Sequence, residues 1–541
     1  MHSFASHARQ GIIARWAMFA ILVSAGPAFA QTTVWTDGTG NWFTPANWSA
    51  GVPNANTTAL INNGGNAQIT SSGAAAGEVE IGVGAQDSGT LSTSGAGNLD
   101  DSGGALYVGR SGTGNLNITD GGVVSSIRFI IAENAGSTGT ATVSGSGSMW
   151  TNIAVCTIGF EGNGTLNITN GGQLSNSNTT TIGDIGTGAV TVDGVGSVWN
   201  DNNQINIGNG GSGTLTISNG GHVSSFGSTV GGGSGSSGVV NVSGSGSSWT
   251  NNGFLELSGT GGNGTLHIMS GGAVSNGSCF MGTFSGSGTS TVDGTGSTWT
   301  IGGDLSVGGV FGGIGMVTIS QGGHVTSTNG LIADGSSSTG SVQVDGATST
   351  WTNSDNVYVG GDASGAVGSG ELHLANGGTV SSATLTVWST GTVTGNGFVQ
   401  TTNGVMNQGT LAPDQTISVT GNLTFNSTAS MLSTVTPQTA NSVMVQGAAT
   451  LNGHLSVTLT GGPFTAGMQY TLLQASGGLN GTTFTNVSIT APPGVKSQVT
   501  YDANHVYLII KSNGSPTPTP TPCTGRCSPT PRPRPTPAPR P

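Results

Sequence analysis

The fold is decided by two phrases in the middle of the chain, Gly188-Ala-Val-Thr-Val-Asp-Gly-Val-Gly-Ser-Val-Trp199 and Gly213-Thr-Leu-Thr-Ile-Ser-Asn-Gly-Gly-His-Val-Ser224. Each phrase alternates apolar and polar residues, passes a glycine-containing turn and reaches a large apolar residue. That residue is Trp199 in the first phrase and Val223 in the second. Strict alternation is the pattern of a half-buried β-strand. The two phrases are therefore versions of one half-repeat.

Copies of these phrases recur along the chain. Gly-Gly pairs such as Gly220-Gly221 return at intervals of about 50 residues. The other phrase lies between them, so the true period is about 25 residues. Aligned on this period, tryptophan alternates with leucine or valine in one column: Leu99, Val124, Trp150, Leu174, Trp199, Val223, Trp249, Val274, Trp299, Val325, Trp351 and Val380.

Each half-repeat has room for three short strands separated by Gly, Asn and Ser turns, and too few residues remain for crossover helices. We therefore predict an all-β chain folded as a right-handed parallel β-helix, or β-solenoid, with about 25 residues per coil and a cap at each end. Coils stack ~4.8 Å apart, so an indole on every coil would crowd its neighbours. Tryptophan on alternate coils, with valine or leucine between, accounts for the double-coil repeat.

The same alternation predicts which side chains point inward. Leu166 with Ile168, and Val342 with Val344, are expected in the core, where each buried side chain contributes ~1.5–3 kcal/mol. The residues between them are mostly Thr, Asn, Ser and His. The outer surface should therefore be uncharged and rich in hydroxyl and amide groups.

The periodicity and its interruptions divide the chain into five parts. Trp35, Trp42 and Trp48 concentrate before the array and suit a cap. After the array the alternation continues without the period, and the end of the chain is rich in proline. The predicted parts are a signal peptide (1–30), an N-terminal cap (31–80), a β-solenoid of double-coil repeats (81–388), a β capping region (389–512) and a disordered proline-rich tail (513–541).

The N-terminus of the chain has the pattern of a secretory signal. Arg9 and Arg15 precede an apolar run, Trp16-Ala-Met-Phe-Ala-Ile-Leu-Val23, and Ala28-Phe29-Ala30 provides a small-x-small cleavage site. No apolar run of ~20 residues follows, so we expect no transmembrane segment in the mature chain. We predict a secreted protein or one on the cell surface, associated with the outer membrane, with the periplasm as an alternative.

The charge distribution argues against nucleic acid as a partner. Of 10 basic residues, only Arg110, Arg128, Lys496 and Lys511 lie between residues 31 and 514, whereas all 22 acidic residues lie there. That segment therefore has a formal charge of −18. Nucleic-acid binding requires a basic surface that neutralises phosphates.

The repeat array contains few residues suited to catalysis or metal binding. Asp193, Asp293 and Asp345 share one position, a Val-Asp-Gly turn in which other copies carry serine, so we interpret them as turn residues. His222 and His324 share another position, and equivalents on separate coils lie too far apart to bind one metal ion. We predict no catalytic, cofactor-binding or metal-binding residues.

Four cysteines are too few for a disulfide framework in a chain of 541 residues. Cys156 and Cys279 occupy positions that inward apolar or small residues fill in other repeats, so we expect both to be buried. Cys523 and Cys527 bracket Thr-Gly-Arg in the tail. These two could close a small disulfide loop.

The alternating phrases Gly-x-Gly-Thr-Leu-x-Ile-x-x-Gly-Gly-x-Val-Ser and Gly-x-Val-x-Val-x-Gly-x-Gly-Ser-x-Trp resemble the repeat shared by autotransporter (type V secretion) passengers and PEP-CTERM-associated exported proteins. The resemblance covers about residues 81–390, and residues 35–53 and 390–511 resemble the two ends of such passengers. It implies a β-helical stalk displayed on, or released from, a Gram-negative-type surface. Because little more than the proline-rich tail follows Lys511, no translocating barrel is expected.

Three hypotheses about function follow. The first is an exported, non-catalytic β-solenoid for surface display, adhesion or self-association, with glycans or copies of itself as partners. The second is a polysaccharide-active enzyme, a lyase or a glycosidase, on the same scaffold. The third is an inert stalk or passenger remnant. We favour the first because lyase and glycosidase chemistry require a base or paired carboxylates, and the array has only Arg110 and Arg128 as basic residues.

Overall fold

The computed structural model describes residues 31–512, and the predicted β-solenoid is confirmed there. Parallel strands stack into about 17 coils of about 25 residues. Within the described residues, the one helical element is a short 3-10 turn at Pro45–Asn47. The predicted signal peptide, the proline-rich tail and the pair Cys523 and Cys527 lie outside the described residues.

Each coil contributes strands to three sheets that run along the rod. The first sheet contains the seven-residue strands of the repeat phrases, and each strand pairs in parallel with the equivalent strand of the next coil. Its strands are Thr39–Asn41, Asn63–Ile69, Ser88–Ser94, Thr113–Thr119, Thr138–Ser144, Asn163–Thr169, Thr187–Asp193, Ser212–Ser218, Ser237–Ser243, Asn263–Met269, Ser287–Asp293, Ile314–Ser320, Thr339–Asp345, Ser369–Ala375, Gly391–Gly395, Thr410–Pro413, Ser430–Val435, His454–Leu459 and Asn486–Thr490.

The second sheet follows the glycine turn and carries the tryptophan column. Its separate strands are Ala74–Ala75, Met149–Asn152, Gln173–Asn176, Val198–Asp201, His222–Ser225, Ser248–Asn251, Ala273–Asn276, Thr298–Ile301, His324–Ser327, Thr350–Asn353, Thr416–Val419, Ser442–Val445 and Gln469–Ala475. Four longer strands pass without a break from the second sheet into the third: Asn98–Val108, Val123–Ile131, Thr379–Val387 and Phe398–Asn407.

The third sheet closes each coil before the chain returns to the first. Its other strands are Gln31–Val34, Thr57–Ile61, Glu78–Ile81, Cys156–Ile158, Thr180–Ile182, Gln204–Ile207, Gly227–Val230, Leu255–Leu257, Cys279–Met281, Leu305–Val307, Gly330–Ile332, Asn356–Val359, Leu423–Phe425 and Ala449–Thr450. Four further strands pair antiparallel outside this pattern: Gly361–Asp362 with Gly365–Ala366, and Lys496–Tyr501 with His505–Lys511.

The tryptophan column predicted from the sequence is confirmed in the second sheet. Trp150 lies in register between Val124 and Leu174, and the same alternation continues through Trp351. Every tryptophan of the column is fully buried. The inward residues predicted from the first sheet are buried as well: Leu166, Ile168, Val342 and Val344.

Four of the five indoles of the column lean towards the preceding coil. The Nε1 groups of Trp150, Trp249 and Trp351 donate to a serine hydroxyl of that coil, at 3.0, 3.1 and 3.2 Å. Trp299 donates to an asparagine side-chain oxygen at 2.7 Å. The accepting residues are Ser126, Ser225, Ser327 and Asn276. A buried indole N–H is thereby satisfied between coils in four of the five tryptophans.

This lean requires space on the preceding coil, and the third sheet provides it. Large and small residues alternate along one inward column of that sheet: Thr180, Ile205, Ser228, Leu255, Cys279, Leu305, Gly330 and Val357. From Thr180 onward the small members lie on the coils that lack tryptophan. Before Thr180 the order is reversed, since Cys156 lies on the coil of Trp150. Phe129 on the preceding coil packs against that indole with ring centroids 4.2 Å apart. A Cβ atom at Gly330 would overlap the indole ring of Trp351. The packing unit is therefore the double coil, in which one coil fills space that the other leaves.

Three tryptophans close the N-terminal end of the stack. Trp48 packs edge-to-face against Trp35 and Trp42, with ring centroids 5.0 and 4.8 Å apart, and all three are buried. Residues 48–51 also bond along the outer edge of Gln31–Val34. A covered edge is protected from pairing with another chain.

The coils continue beyond the repeated phrases in both directions. The strands of residues 57–81 pair in parallel with the first coils of the array, and the strands of residues 391–490 continue the stack. The C-terminal end turns antiparallel, where His505–Lys511 pairs with Gln469–Ala475. Backbone stacking therefore does not depend on the tryptophan phrase, which marks only the central coils.

The contact between Gly330 and Trp351 predicts the effect of a single methyl group. We expect Gly330→Ala to destabilise the protein by ~1–3 kcal/mol, because the added Cβ overpacks the core. Gly38→Ala is the matched control, since a Cβ there meets no atom within 4 Å, and its effect should stay within ~0.5 kcal/mol. Thermal unfolding followed by circular dichroism measures both. Equal effects of the two variants would contradict this packing.

Candidate functional site: the outer faces

The outward residues of the first sheet form a long flat face. In strands such as Thr187–Asp193 every second residue is buried and the residues between them remain accessible. Within residues 31–512 the sheet has 19 strands, which at ~4.8 Å per step span roughly 86 Å. Hydroxyl and amide side chains dominate the face, as predicted; one column consists of Ser92, Asn117, Thr142, Asn167, Thr191, Thr216, Asn241, His267, Thr291 and Thr318.

Asp193, Asp293 and Asp345 lie along one edge of this face and bind the next coil rather than one another. The carboxylate Oδ1 of Asp193 accepts hydrogen bonds from the side chains of Ser218 and Asn219, both at 2.6 Å, and Asp293 makes equivalent contacts. Four coils separate Asp193 from Asp293, which is roughly 19 Å at ~4.8 Å per coil. Glycosidase carboxylates lie ~5–9.5 Å apart, so Asp193 and Asp293 do not form such a pair. Asp293 and Asp345 are two coils apart, roughly 10 Å, and each carboxylate accepts a hydrogen bond from a side chain of the next coil.

His222 and His324 also contact the next coil. The Nδ1 atoms of their rings lie 2.8 Å from the hydroxyl groups of Ser248 and Thr350. The two histidines are four coils apart and cannot bind one metal ion. Within residues 31–512, no group of three or more His, Cys, Asp or Glu side chains could hold a metal ion.

Cys156 and Cys279 lie in the inward column of the third sheet, as predicted, and both are fully buried free thiols. Burial raises the pKa of both thiols well above the ordinary value. Because the thiolate is the reactive form of cysteine, a raised pKa keeps both side chains unreactive. They serve as small core residues.

The charged side chains of the first coils gather around Arg110. Its guanidinium nitrogens lie 2.5 Å from Glu80, 3.0 Å from Glu133 and 4.0 Å from Glu78. The guanidinium also lies over the ring of Tyr107, 4.6 Å from its centroid. These residues come from three successive coils, so the cluster links the coils together. With three carboxylates around it, Arg110 is already engaged.

Several carboxyl groups in the rod have raised pKa values because they are buried. Burial raises the pKa of Glu78 to about 7, and the neighbouring Glu80 adds to the rise. Burial also raises the pKa of Asp201 and of Asp334 to about 6, although hydrogen bonds oppose it. Asp101 is fully buried, neither of its carboxyl oxygens has a hydrogen-bond partner within residues 31–512, and its pKa is raised well above the ordinary value.

A buried polar column runs beside the tryptophans and was not predicted from the sequence. Asn152 donates to Asn176 at 2.9 Å, and Ser327 donates to Asn353 at 2.7 Å. The signal that could have revealed this column is the recurrent Trp-Thr-Asn of residues 150–152, 249–251 and 351–353. The polar members lie two positions after the tryptophan column, and Ile301 interrupts them: Asp101, Ser126, Asn152, Asn176, Asp201, Ser225, Asn251, Asn276, Ser327, Asn353, Ser382 and Thr401.

Phenylalanine side chains form a second outward feature that sequence reasoning missed. They cross the third sheet diagonally over four successive coils, and we call them the aromatic band: Phe226, Phe254, Phe280, Phe284 and Phe311. Phe226 exposes 65% of its surface and Phe311 exposes 53%. The rings of Phe284 and Phe311 stack with centroids 5.6 Å apart. Most of these residues lie in turns, where no periodicity marks them.

The fold and its faces define the protein as an elongated parallel β-solenoid. No protein-family profile matches the chain, and no curated protein matches it significantly. The described part of the chain, residues 31–512, has no helix with the length and apolar character needed to cross a bilayer.

The raised carboxyl pKa values predict a solenoid that is more stable in mild acid. Folded Glu78 holds its proton to about pH 7, and Asp201 and Asp334 hold theirs to about pH 6, against ordinary values of 4.5 and 3.8. The folded state therefore binds more protons, and stability falls as pH rises from ~4 to ~7 and then levels off. We expect the unfolding midpoint, measured by circular dichroism, to be a few degrees higher at about pH 5 than at about pH 7.5.

The double variant Glu78→Gln and Asp201→Asn is the control for this pH dependence. It removes two of the groups with raised pKa values and should reduce the dependence of the midpoint on pH. An unfolding midpoint that rises with pH across this window would show that these carboxyl groups are not buried as described.

Proposed function

We propose that the protein is an exported, non-catalytic solenoid that serves in surface display or adhesion and binds glycans along its outer face. The observation that carries this proposal is the outward face of the first sheet, which repeats hydroxyl and amide groups coil after coil over roughly 86 Å. Single hydrogen bonds in water contribute only ~0.5–1.5 kcal/mol. A regular array of them adds up when the partner also repeats, as a polysaccharide does.

The arrangement of the carboxylates supports a binding function over a catalytic one. Asp193 and Asp293 belong to different coils and bind serine hydroxyls of the next coil. The carboxylates nearest to one another, around Arg110, are held by its guanidinium. A polysaccharide-active enzyme remains the competing proposal, and turnover of pectin or polygalacturonate by the purified chain would establish it.

Export is proposed from the N-terminal signal pattern and from the resemblance of the repeats to exported passengers. The cap formed by Trp35, Trp42 and Trp48 begins directly after the proposed cleavage site. An elongated rod with a closed end is suited to projecting from a surface.

Fractionation of cells tests the proposed location. We expect the full chain to appear on the cell surface or in the medium, where an externally added protease can cleave it. A version ending at Lys511 is the matched control, because it keeps every described strand and lacks the proline-rich tail. If both versions remain in the periplasm, surface display is wrong.

Adhesion can be assigned to a face by comparing two sets of variants. Thr142→Val, Thr191→Val and Thr216→Val together remove hydroxyls from one outward column of the first sheet with little change in shape. We expect this variant to bind immobilised cell-surface polysaccharide at least tenfold more weakly than the unmodified chain, which corresponds to ~1.4 kcal/mol.

The control set for adhesion changes the aromatic band, by Phe254→Ser and Phe280→Ser. These rings are exposed, so the fold should persist and polysaccharide binding should be unchanged. The band favours a second candidate function, self-association, because exposed apolar patches mark protein interfaces. Loss of cell aggregation in the band variant alone, measured by settling of cell suspensions, would support self-association over glycan adhesion.

A further inference from the structure

A polar groove lies at the point where the tryptophan column ends. Its volume is ≈350 Å³. It follows the corner between the second and third sheets over four coils, and no charged residue lines it. The lining residues are Asn353, Ser354, Ser381, Ser382, Ala383, Gln400, Thr401, Thr402 and Thr420.

Two buried hydroxyl groups in the wall of this groove have no hydrogen-bond partner. Ser382 and Thr401 are 7% and 8% exposed, and neither side-chain oxygen has a partner within residues 31–512. Both belong to the buried polar column. A buried hydroxyl without a partner costs ~1–3 kcal/mol. Either side chain removes this cost by rotating its hydroxyl into the groove and meeting a donor or acceptor there.

The unpartnered hydroxyl of Ser382 follows from the end of the double-coil repeat. In the array, a serine of the column accepts the indole N–H of the following coil, as Ser327 does from Trp351 at 3.2 Å. On the coil after Ser382, the position of the tryptophan column is occupied by Val399. Valine has no donor, so Ser382 keeps the acceptor position of the repeat without its partner.

The groove is open because the column side chains are short at this level. At two asparagine positions of the column the amide reaches the turn that follows and fills the corner: Asn152 donates to the carbonyl oxygen of Ala154 at 2.7 Å, and Asn251 to that of Phe254 at 2.9 Å. Asn353, at the start of the groove, donates instead to the carbonyl oxygen of Ser381 on the next coil, at 3.3 Å. Ser382 and Thr401 are too short to reach the turn in this way. The paired strands also shift register after Ser382, which displaces the turn.

We propose that this groove is a binding site for a neutral saccharide. Its lining presents hydroxyl and amide groups, and a sugar ring offers hydroxyls that both donate and accept hydrogen bonds. An uncharged lining provides no counter-charge for a phosphate or a carboxylate. The volume is within the range of small-ligand sites, ~300–1,000 Å³. A ring hydroxyl bound to Ser382 or Thr401 removes the cost of the buried unpartnered group.

The groove is a second saccharide site, separate from the outward face of the first sheet that is proposed for glycan adhesion. Binding in the groove does not depend on binding at that face. The long face of the first sheet binds through many repeated contacts, whereas the groove recognises one or two sugar units. Variants of Thr142, Thr191 and Thr216 affect the face and leave the groove intact. The two proposals therefore fail separately.

The variants Ser382→Asn and Thr401→Asn test the groove. They introduce the side chain that other coils carry at this position, so they should fill the groove and bond the turn without loss of stability. Thr250→Asn is the matched control, because it makes the same kind of change at an exposed position of the second sheet, outside both the groove and the outward face of the first sheet. Ser382→Ala removes only the hydroxyl group and tests its contribution should either asparagine variant fail to fold.

Binding is measured on the purified full chain with a panel of neutral oligosaccharides of glucose, galactose, mannose and N-acetylglucosamine, by saturation-transfer NMR and calorimetry. We expect at least one to bind, with affinity at least tenfold weaker in Ser382→Asn, several-fold weaker in Ser382→Ala, and unchanged in Thr250→Asn. The proposal is overturned if no oligosaccharide of the panel binds the unmodified chain, or if Ser382→Asn and Ser382→Ala bind as the unmodified chain does.

Discussion

The structure depends on one contact, the indole of every second coil laid back over the coil before it. Strands alone could stack, as they do on both sides of the array, but stacking does not decide what fills the narrow interior. From Thr180 onward the coil before each indole carries a small residue in the inward column of the third sheet, with Gly330 beneath Trp351 as the extreme case. Before Trp150 that residue is Phe129, whose ring packs against the indole. The indole N–H of Trp351 also bonds to the preceding coil, so packing and hydrogen bonding enforce the same two-coil unit.

The outward side chains of the first sheet take little part in core packing. Because core packing is settled by the inward columns, the outward positions of the first sheet can carry threonine, serine and asparagine without loss of stability, and acidic residues there bind the adjacent coil. The rod also keeps its charges in limited places, such as the cluster around Arg110. A long polar face, a compact aromatic band and a groove at the end of the tryptophan column are separate surfaces on one scaffold.

The groove illustrates how a repeat creates a site where it stops. At several levels of the array the polar column is satisfied by the coil that follows: Ser126, Ser225 and Ser327 accept an indole N–H of that coil, and Asn152 donates to Asn176. Within the described part of the chain, the hydroxyl groups of Ser382 and Thr401 have no such hydrogen-bond partner, although backbone stacking continues through the next coils. The result is a groove whose wall contains these two unpartnered hydroxyl groups. The groove lies where the repeat ends, so a uniform solenoid would not have it.

The sequence by itself determined the coil length, the parallel β class, the alternate placement of tryptophan and the inward or outward direction of most side chains. These follow from periods of 2 and about 25 residues, which local alternation and repetition express directly. Tertiary structure decided the direction in which the indoles lean, the buried polar column, the gathering of Glu78, Glu80 and Glu133 around Arg110, the aromatic band and the groove. The physical reason is that each of these joins side chains of different coils at corners and turns, where position depends on lateral packing and register shifts that no single repeat encodes.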